Sequence, residues 1–160
     1  MNAGEQTLVL GMGNPILSDD AVGLLVAQRL SEGEVPEGVE VRESEQGGLR
    51  LLDLVRGFSR LIIIDALKTG RTPGEVVVFN EEDFAGGHRY GSAHSISLRT
   101  ALELGRRLGY DMPGQVTVFA IEADDIETFG ERLSPPVAAA AARVVELVRA
   151  EIGAPTGVAV

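Results

Sequence analysis

Short apolar runs of strand length alternate along this chain with stretches whose apolar residues recur every three or four positions, the spacing of one helix face. Thr7–Leu10 is the first run, and it stops at Gly11. From Asp19 to Leu30 the residues Val22, Leu25, Val26 and Leu30 share a face, which predicts an amphipathic helix. Val39–Val41 predicts a short second strand and Leu49–Val55 a brief helix. Leu61–Ile64 is uninterrupted and mostly β-branched, as a strand covered on both faces would be, and it runs straight into Asp65. The Pro73-Gly74 turn then introduces a strand over Val76–Phe79.

Asn80 to Ala93 has no periodicity and predicts a long loop, a feature more often functional than decorative. Leu98, Ala101, Leu102, Gly105 and Leu108 predict a helix starting near Ser95, and Val116–Ile121 another strand. Ser134 before Pro135-Pro136 reads as an N-cap followed by proline in the first helical turn. The closing helix is expected to reach about Gly153, burying Val137, Ala141, Val144, Val148 and Ile152 and leaving Ala154–Val160 as a loose tail. Such alternation predicts an α/β fold with a mostly parallel central sheet and helices on both faces. The whole chain, 1–160, reads as one domain with an ordered core from about residue 7 to about residue 153. Ligands of such folds bind beyond the carboxyl ends of the strands.

Composition narrows the chemistry. A chain of 160 residues is long enough to bury roughly 70% of its unfolded surface around one core. Aromatic residues make up only 4%, so the core has to be built from Val, Leu, Ile and Ala. Cysteine is absent, which excludes disulfides, a thiol nucleophile and thiolate metal sites. A formal net charge of -10 repels phosphate backbones and anionic lipid, so nucleic acid and membrane are not expected partners. Met1–Thr7 lacks the cationic and apolar pattern of a signal peptide, and no apolar run approaches the ~20 residues of a membrane span. A soluble, cytoplasmic protein is expected.

Three positions could carry chemistry. Gly11-Met12-Gly13-Asn14-Pro15 turns the first strand toward Ser18-Asp19-Asp20 at the start of a helix. Asp19 reads as a helix cap, but one cap needs one carboxylate, which leaves Asp20 over. A dinucleotide fingerprint fits poorly, because Ile16 stands where it needs a third glycine. Asp65 follows the most apolar strand; it either caps the next turn, pairs with Lys68 or serves a site. His94 lies between the long loop and the next helix, and the other histidine, His88, lies inside the loop. Asp20, Asp65 and His94 all fall at element ends that a parallel sheet gathers on one rim. Two carboxylates and an imidazole suit a divalent first-row ion with positions left for water or substrate. There is no HExxH signature of a zincin.

From about Thr7 to Val148 the chain resembles the hydrogenase maturation endopeptidases. The resemblance rests on Gly11-Met12-Gly13-Asn14-Pro15-Ile16-Leu17-Ser18-Asp19-Asp20-Ala21-Val22-Gly23, on Leu61-Ile62-Ile63-Ile64-Asp65-Ala66 with Pro73-Gly74, on Ser92-Ala93-His94 and on Leu133-Ser134-Pro135. It implies a single-domain three-layer sandwich around a twisted sheet. It also implies that Asp20, Asp65 and His94 contact nickel and carry catalysis. The implied activity is removal of a C-terminal extension from a [NiFe]-hydrogenase large-subunit precursor after nickel insertion, with the nickel supplied by the precursor. A monomer that forms a transient heterodimer with the precursor is expected. Two departures stand out: Asp20 occupies a position often held by Glu, and Glu43-Ser44-Glu45-Gln46-Gly47-Gly48 replaces an Asp-Gly-Gly-Thr-like segment, with Glu43 a candidate for its acid.

Two other readings compete. Gly11–Pro15 also resembles the start of peptidyl-tRNA hydrolases, but those continue with glycine and an Arg-His-Asn stretch and carry basic residues for RNA. A nickel- or precursor-binding chaperone would use the same surface without cutting.

Overall fold

The computed structural model describes residues 4–45, 47, 49–85 and 93–154, with side chains omitted at 84–85 and 93–97. Five strands, β1 (Thr7–Met12), β2 (Val39–Ser44), β3 (Arg60–Leu67), β4 (Val76–Asn80) and β5 (Gln115–Glu122), form one sheet in the order β2-β1-β3-β5-β4. The helices are α1 (Val22–Glu32), α2 (Arg50–Val55), α3 (Glu81–Ala85), α4 (Ala93–Arg107) and α5 (Pro135–Ile152).

β1 is buried along its whole length, as expected for an apolar strand with paired strands on both sides and helices on both faces. It pairs in parallel with β2 from Thr7↔Val39 to Met12↔Ser44 and with β3 from Thr7↔Arg60 to Gly11↔Ile64. β3 and β5 are parallel from Arg60↔Gln115 to Leu67↔Glu122. β4 alone is antiparallel, Val76↔Ile121 to Asn80↔Thr117. The cause is length: residues 68–75 cannot make the crossover of a dozen or more residues that a parallel strand would require.

Side-chain alternation divides the interior in two. Leu8, Leu10, Leu61, Ile63 and Val118 face α2 and α4, where Leu51, Val55, Leu98 and Leu102 close the layer. Val9, Ile62, Ile64, Phe119 and Ile121 face α1 and α5, against Val22, Val26, Val137, Val144 and Val148. This is the three-layer, mostly parallel sandwich expected from the pattern.

Details differ from the expectation. In α1 the buried stripe is Val22, Gly23, Leu24, Val26, Ala27 and Leu30, and Leu25 sits at its margin. The helix lies so close to the sheet that glycine and alanine take core positions. Leu108 falls beyond the end of α4 and is exposed. Part of the expected 80–93 loop is the short helix α3, while 86–92, with His88, lie outside the described residues. α5 starts with proline in its first turn and ends at Gly153 in the left-handed conformation, where Ala154 N–H donates to the Arg149 carbonyl at 2.9 Å. Ala154, placed in the tail by the sequence pattern, is buried, and 155–160 lie outside the described residues.

Candidate active site at the carboxyl edge of the sheet

The chain leaves β1 toward β2 on one side, while β3 lies on the other, so β1 and β3 flank the point where strand order reverses. Open α/β sheets place their ligand crevice there, beyond the carboxyl ends of the strands. Asp20 and Asp65 both come to this point.

Asp20 is positioned by glycines. Gly13 turns the chain out of β1 with φ 155°, and a Cβ there would lie 2.0 Å from the Asp20 carbonyl oxygen. Asn14 N–H donates to that same carbonyl, and Asp20 N–H donates to Leu17 O at 3.0 Å. Residues Ser18–Ala21 form a 3-10 turn that contacts β3 and leads into α1. Gly23 then lets α1 settle directly on the strands, since a Cβ there would sit 2.3 Å from both the Met12 and Ile64 carbonyl oxygens. Asp20 is half-buried over the β1–β3 end.

Asp65 does not lie after its strand. β3 continues to Leu67 because β5 keeps pairing with it, whereas the β1 ladder closes at Ile64. Asp65 is therefore a buried carboxylate, 4% exposed, on a strand flank that β1 has stopped covering. By alternation with Ile63 and Leu67 it faces the α2 and α4 layer. Its Oδ1 accepts the Ala66 N–H at 2.8 Å, which fixes the carboxylate's orientation. Lys68 is bound elsewhere: its Nζ donates to the Asp124 carbonyl at 2.6 Å.

His94 falls in the first turn of α4, and its side chain lies outside the described residues. The far end of α4 is fixed by Arg106, which pairs with Glu81 and donates to Pro113 O at 3.2 Å, beside the amino end of β5. A helix from Ala93 to Arg107 is about 22 Å long, so its first turn reaches back toward the carboxyl edge, on the sheet face that Asp65 shares. Among the described residues no group of three His, Cys, Asp or Glu side chains is gathered as a metal site.

Asp19 is not a cap of α1. Its side chain is fully buried and turns the other way, accepting the N–H groups of Asp124 at 2.9 Å, Asp125 at 3.0 Å and Ser134 at 2.7 Å, together with the Ser134 hydroxyl. Ser134 correspondingly makes no side-chain cap on α5. This one carboxylate ties the 124–134 connection to the turn that carries Asp20. Glu122, also buried, was not singled out from the sequence. It accepts the Thr69 N–H and hydroxyl and so holds the β3–β4 turn at the same edge. The available signal was the one that marked Asp65, an acid directly after an apolar strand.

The rim is completed by two stitched connections. Ser18 N–H donates to Gly130 O at 3.0 Å, Gly130 N–H to Ile16 O at 2.9 Å, and the Ser18 hydroxyl to Thr128 O at 2.9 Å. The Thr128 hydroxyl, with the N–H groups of Thr128 and Glu127, holds the Asp125 carboxyl below the usual carboxylate range. Glu43 is engaged at the edge of β2, accepting from Gln28 Nε2 at 2.7 Å.

An open, mostly parallel sheet of this order is that of the α/β proteins whose ligands bind at the switch-point edge, and comparison with known proteins narrows the class. A model of the hydrogenase maturation protease family matches residues 24–151, which include Asp65 and His94. The solved hydrogenase maturating endopeptidase HybD of Escherichia coli superimposes with a TM-score of 0.81 at 28% identity over 92% of each chain. The [NiFe] hydrogenase maturation protease HybD of Thermococcus kodakarensis gives 0.71 at 30% identity, covering 92% of this chain and 99% of that one. Hydrogenase expression/formation protein HupD of Rhodobacter capsulatus is 30% identical over 138 residues, 84% of this chain and 65% of its own length. The chain thus spans just under two thirds of the length of this HupD relative. It belongs to the hydrogenase maturation protease family.

Proposed function

We propose that this protein is the endopeptidase that removes the C-terminal extension of a [NiFe]-hydrogenase large-subunit precursor once nickel has been inserted. The observation that supports this is that, in a member of this family, the turn carrying Asp20 packs against β3, the strand that carries Asp65, at the β1/β3 switch point. The nickel belongs to the substrate. Asp20, Asp65 and His94 supply two oxygens and one nitrogen, a donor set that fits a divalent first-row ion with further positions filled by the precursor. The Ala66 N–H on Asp65 supports the fit, since carboxylates that meet metals are characteristically oriented by a second hydrogen bond.

In this reading the precursor's ion polarises the scissile carbonyl or its attacking water. The chain's own residues seat it. Asp65, fixed in a rigid strand, defines the position, and Asp20, on the glycine-tightened turn, closes the other side. Whichever carboxylate lies nearer the attacking water takes its proton. Cleavage takes place in a transient heterodimer of one protease and one precursor in the cytoplasm.

The test is intact-mass spectrometry of a precursor from the same organism, with and without nickel, incubated with the protein or its Asp65→Asn variant. Loss of a C-terminal peptide is expected only with nickel, and the variant should cut at least about a hundredfold more slowly. Stable binding without any loss of mass would replace protease with chaperone.

A further inference from the structure

We infer that Ile16 and Phe129 are the docking ridge for the precursor, and that the segment seated on it is apolar and flanked by lysine or arginine; this rests on the proposed protease reading. Phe129 is 77% exposed and Ile16 51% exposed. Single exposed apolar residues are ordinary, but these two stand on connections bonded to each other, through Gly130 to Ile16 and Ser18 to Gly130. Leu17 and Gly130 also form a parallel bridge.

The support is rigid. Asp19 holds Asp124, Asp125 and Ser134 on either side of Phe129, and Asp125 closes a tight turn onto Glu127 and Thr128. An aromatic side chain displayed from backbone fixed in advance makes an effective anchor, because the chain that carries it needs little ordering on binding. Ile16 lies four residues before Asp20 in the same connection, which sets the ridge beside the turn that carries Asp20. Charge selects the occupant. Asp124, Glu127 and Glu131 are exposed around Phe129, against Arg132 and the tethered Lys68, in a chain of net charge -10. A second copy of this chain is repelled, whereas a basic segment is drawn in.

The test immobilises nickel-loaded precursor and measures binding of wild type, Phe129→Ser, Phe129→Leu, Ile16→Ser and the Glu127→Lys/Glu131→Lys double variant by interferometry. Single-turnover cleavage at saturating protein is read in parallel. Phe129→Ser should weaken binding about tenfold and Ile16→Ser less, with Phe129→Leu close to wild type. The cleavage rate at saturation should stay within about twofold. The charge-reversed variant should lose affinity at low salt and recover it as salt rises. Unchanged binding of Phe129→Ser, or loss of rate at saturation without loss of affinity, would overturn the docking role. So would wild-type self-association that Phe129→Ser abolishes. Precursor that binds wild type through Phe129 but is never cut would sink the protease reading and leave docking intact; precursor that does not bind sinks docking.

Discussion

Asp19 and Asp20 are neighbours of the same chemistry with opposite work. Asp19 faces inward and gathers three N–H groups and a hydroxyl, while Asp20 stands half-buried at the switch point. Asp19→Ala would leave those donors without an acceptor; a hydrogen bond to a charged group contributes about 1.5–3 kcal/mol net, and water entering the space recovers part of the total. A loss of about 2–4 kcal/mol in urea denaturation is expected, and a loss under about 0.5 kcal/mol would show that water replaces the carboxylate. The doubled acid was legible in the sequence, but its division of labour was not. Asp19's partners lie more than a hundred positions away, so no local pattern could separate a cap from a long-range anchor. Asp65 was legible as an acid on an apolar strand, whereas its place inside that strand depended on how far β5 continued to pair.

At the scale of elements, the β1–α1 unit is defined by contact distance. A Cβ on Gly11 would lie 2.2 Å from the Gly23 carbonyl oxygen, and one on Gly23 would meet two strand carbonyls. Backbone cannot give way as a flexible side chain can. Gly23→Ala is therefore expected to lift α1 from the sheet, costing about 3 kcal/mol and moving the turn that carries Asp20. Chemical denaturation reads the first effect and precursor cleavage the second; an unperturbed variant would mean that α1 slides without consequence. The strands and helices themselves were readable from apolar spacing. The antiparallel direction of β4 was decided by the length of one turn, and the stripe of α1 by a close approach that favours small residues over leucine.

For the whole molecule, one sheet separates two apolar layers, and no linker interrupts the described residues. Because β1, β3 and β5 contribute alternate side chains to both layers, neither can melt while the other remains. Thermal unfolding should show a single transition with calorimetric and van't Hoff enthalpies equal, and two resolved transitions would show that the layers are separable. Class and layering were legible because strand–helix alternation permits few architectures. The rim was not, since it arises where connections remote in sequence meet.

That rim has one further property. Two of the three bonds joining 16–18 to 128–130 are between peptide groups, and the third, from the Ser18 hydroxyl, ends on a backbone carbonyl. Its position is thus encoded by backbone pairing and by Ser18, Asp19 and Asp125, and not by the side chains at 16 and 129. With the ridge as the proposed docking surface, a scaffold of this kind would let partner choice drift by exchanging the residues at 16 and 129 while Asp20 and Asp65 keep their places: the address could be rewritten without moving the acids.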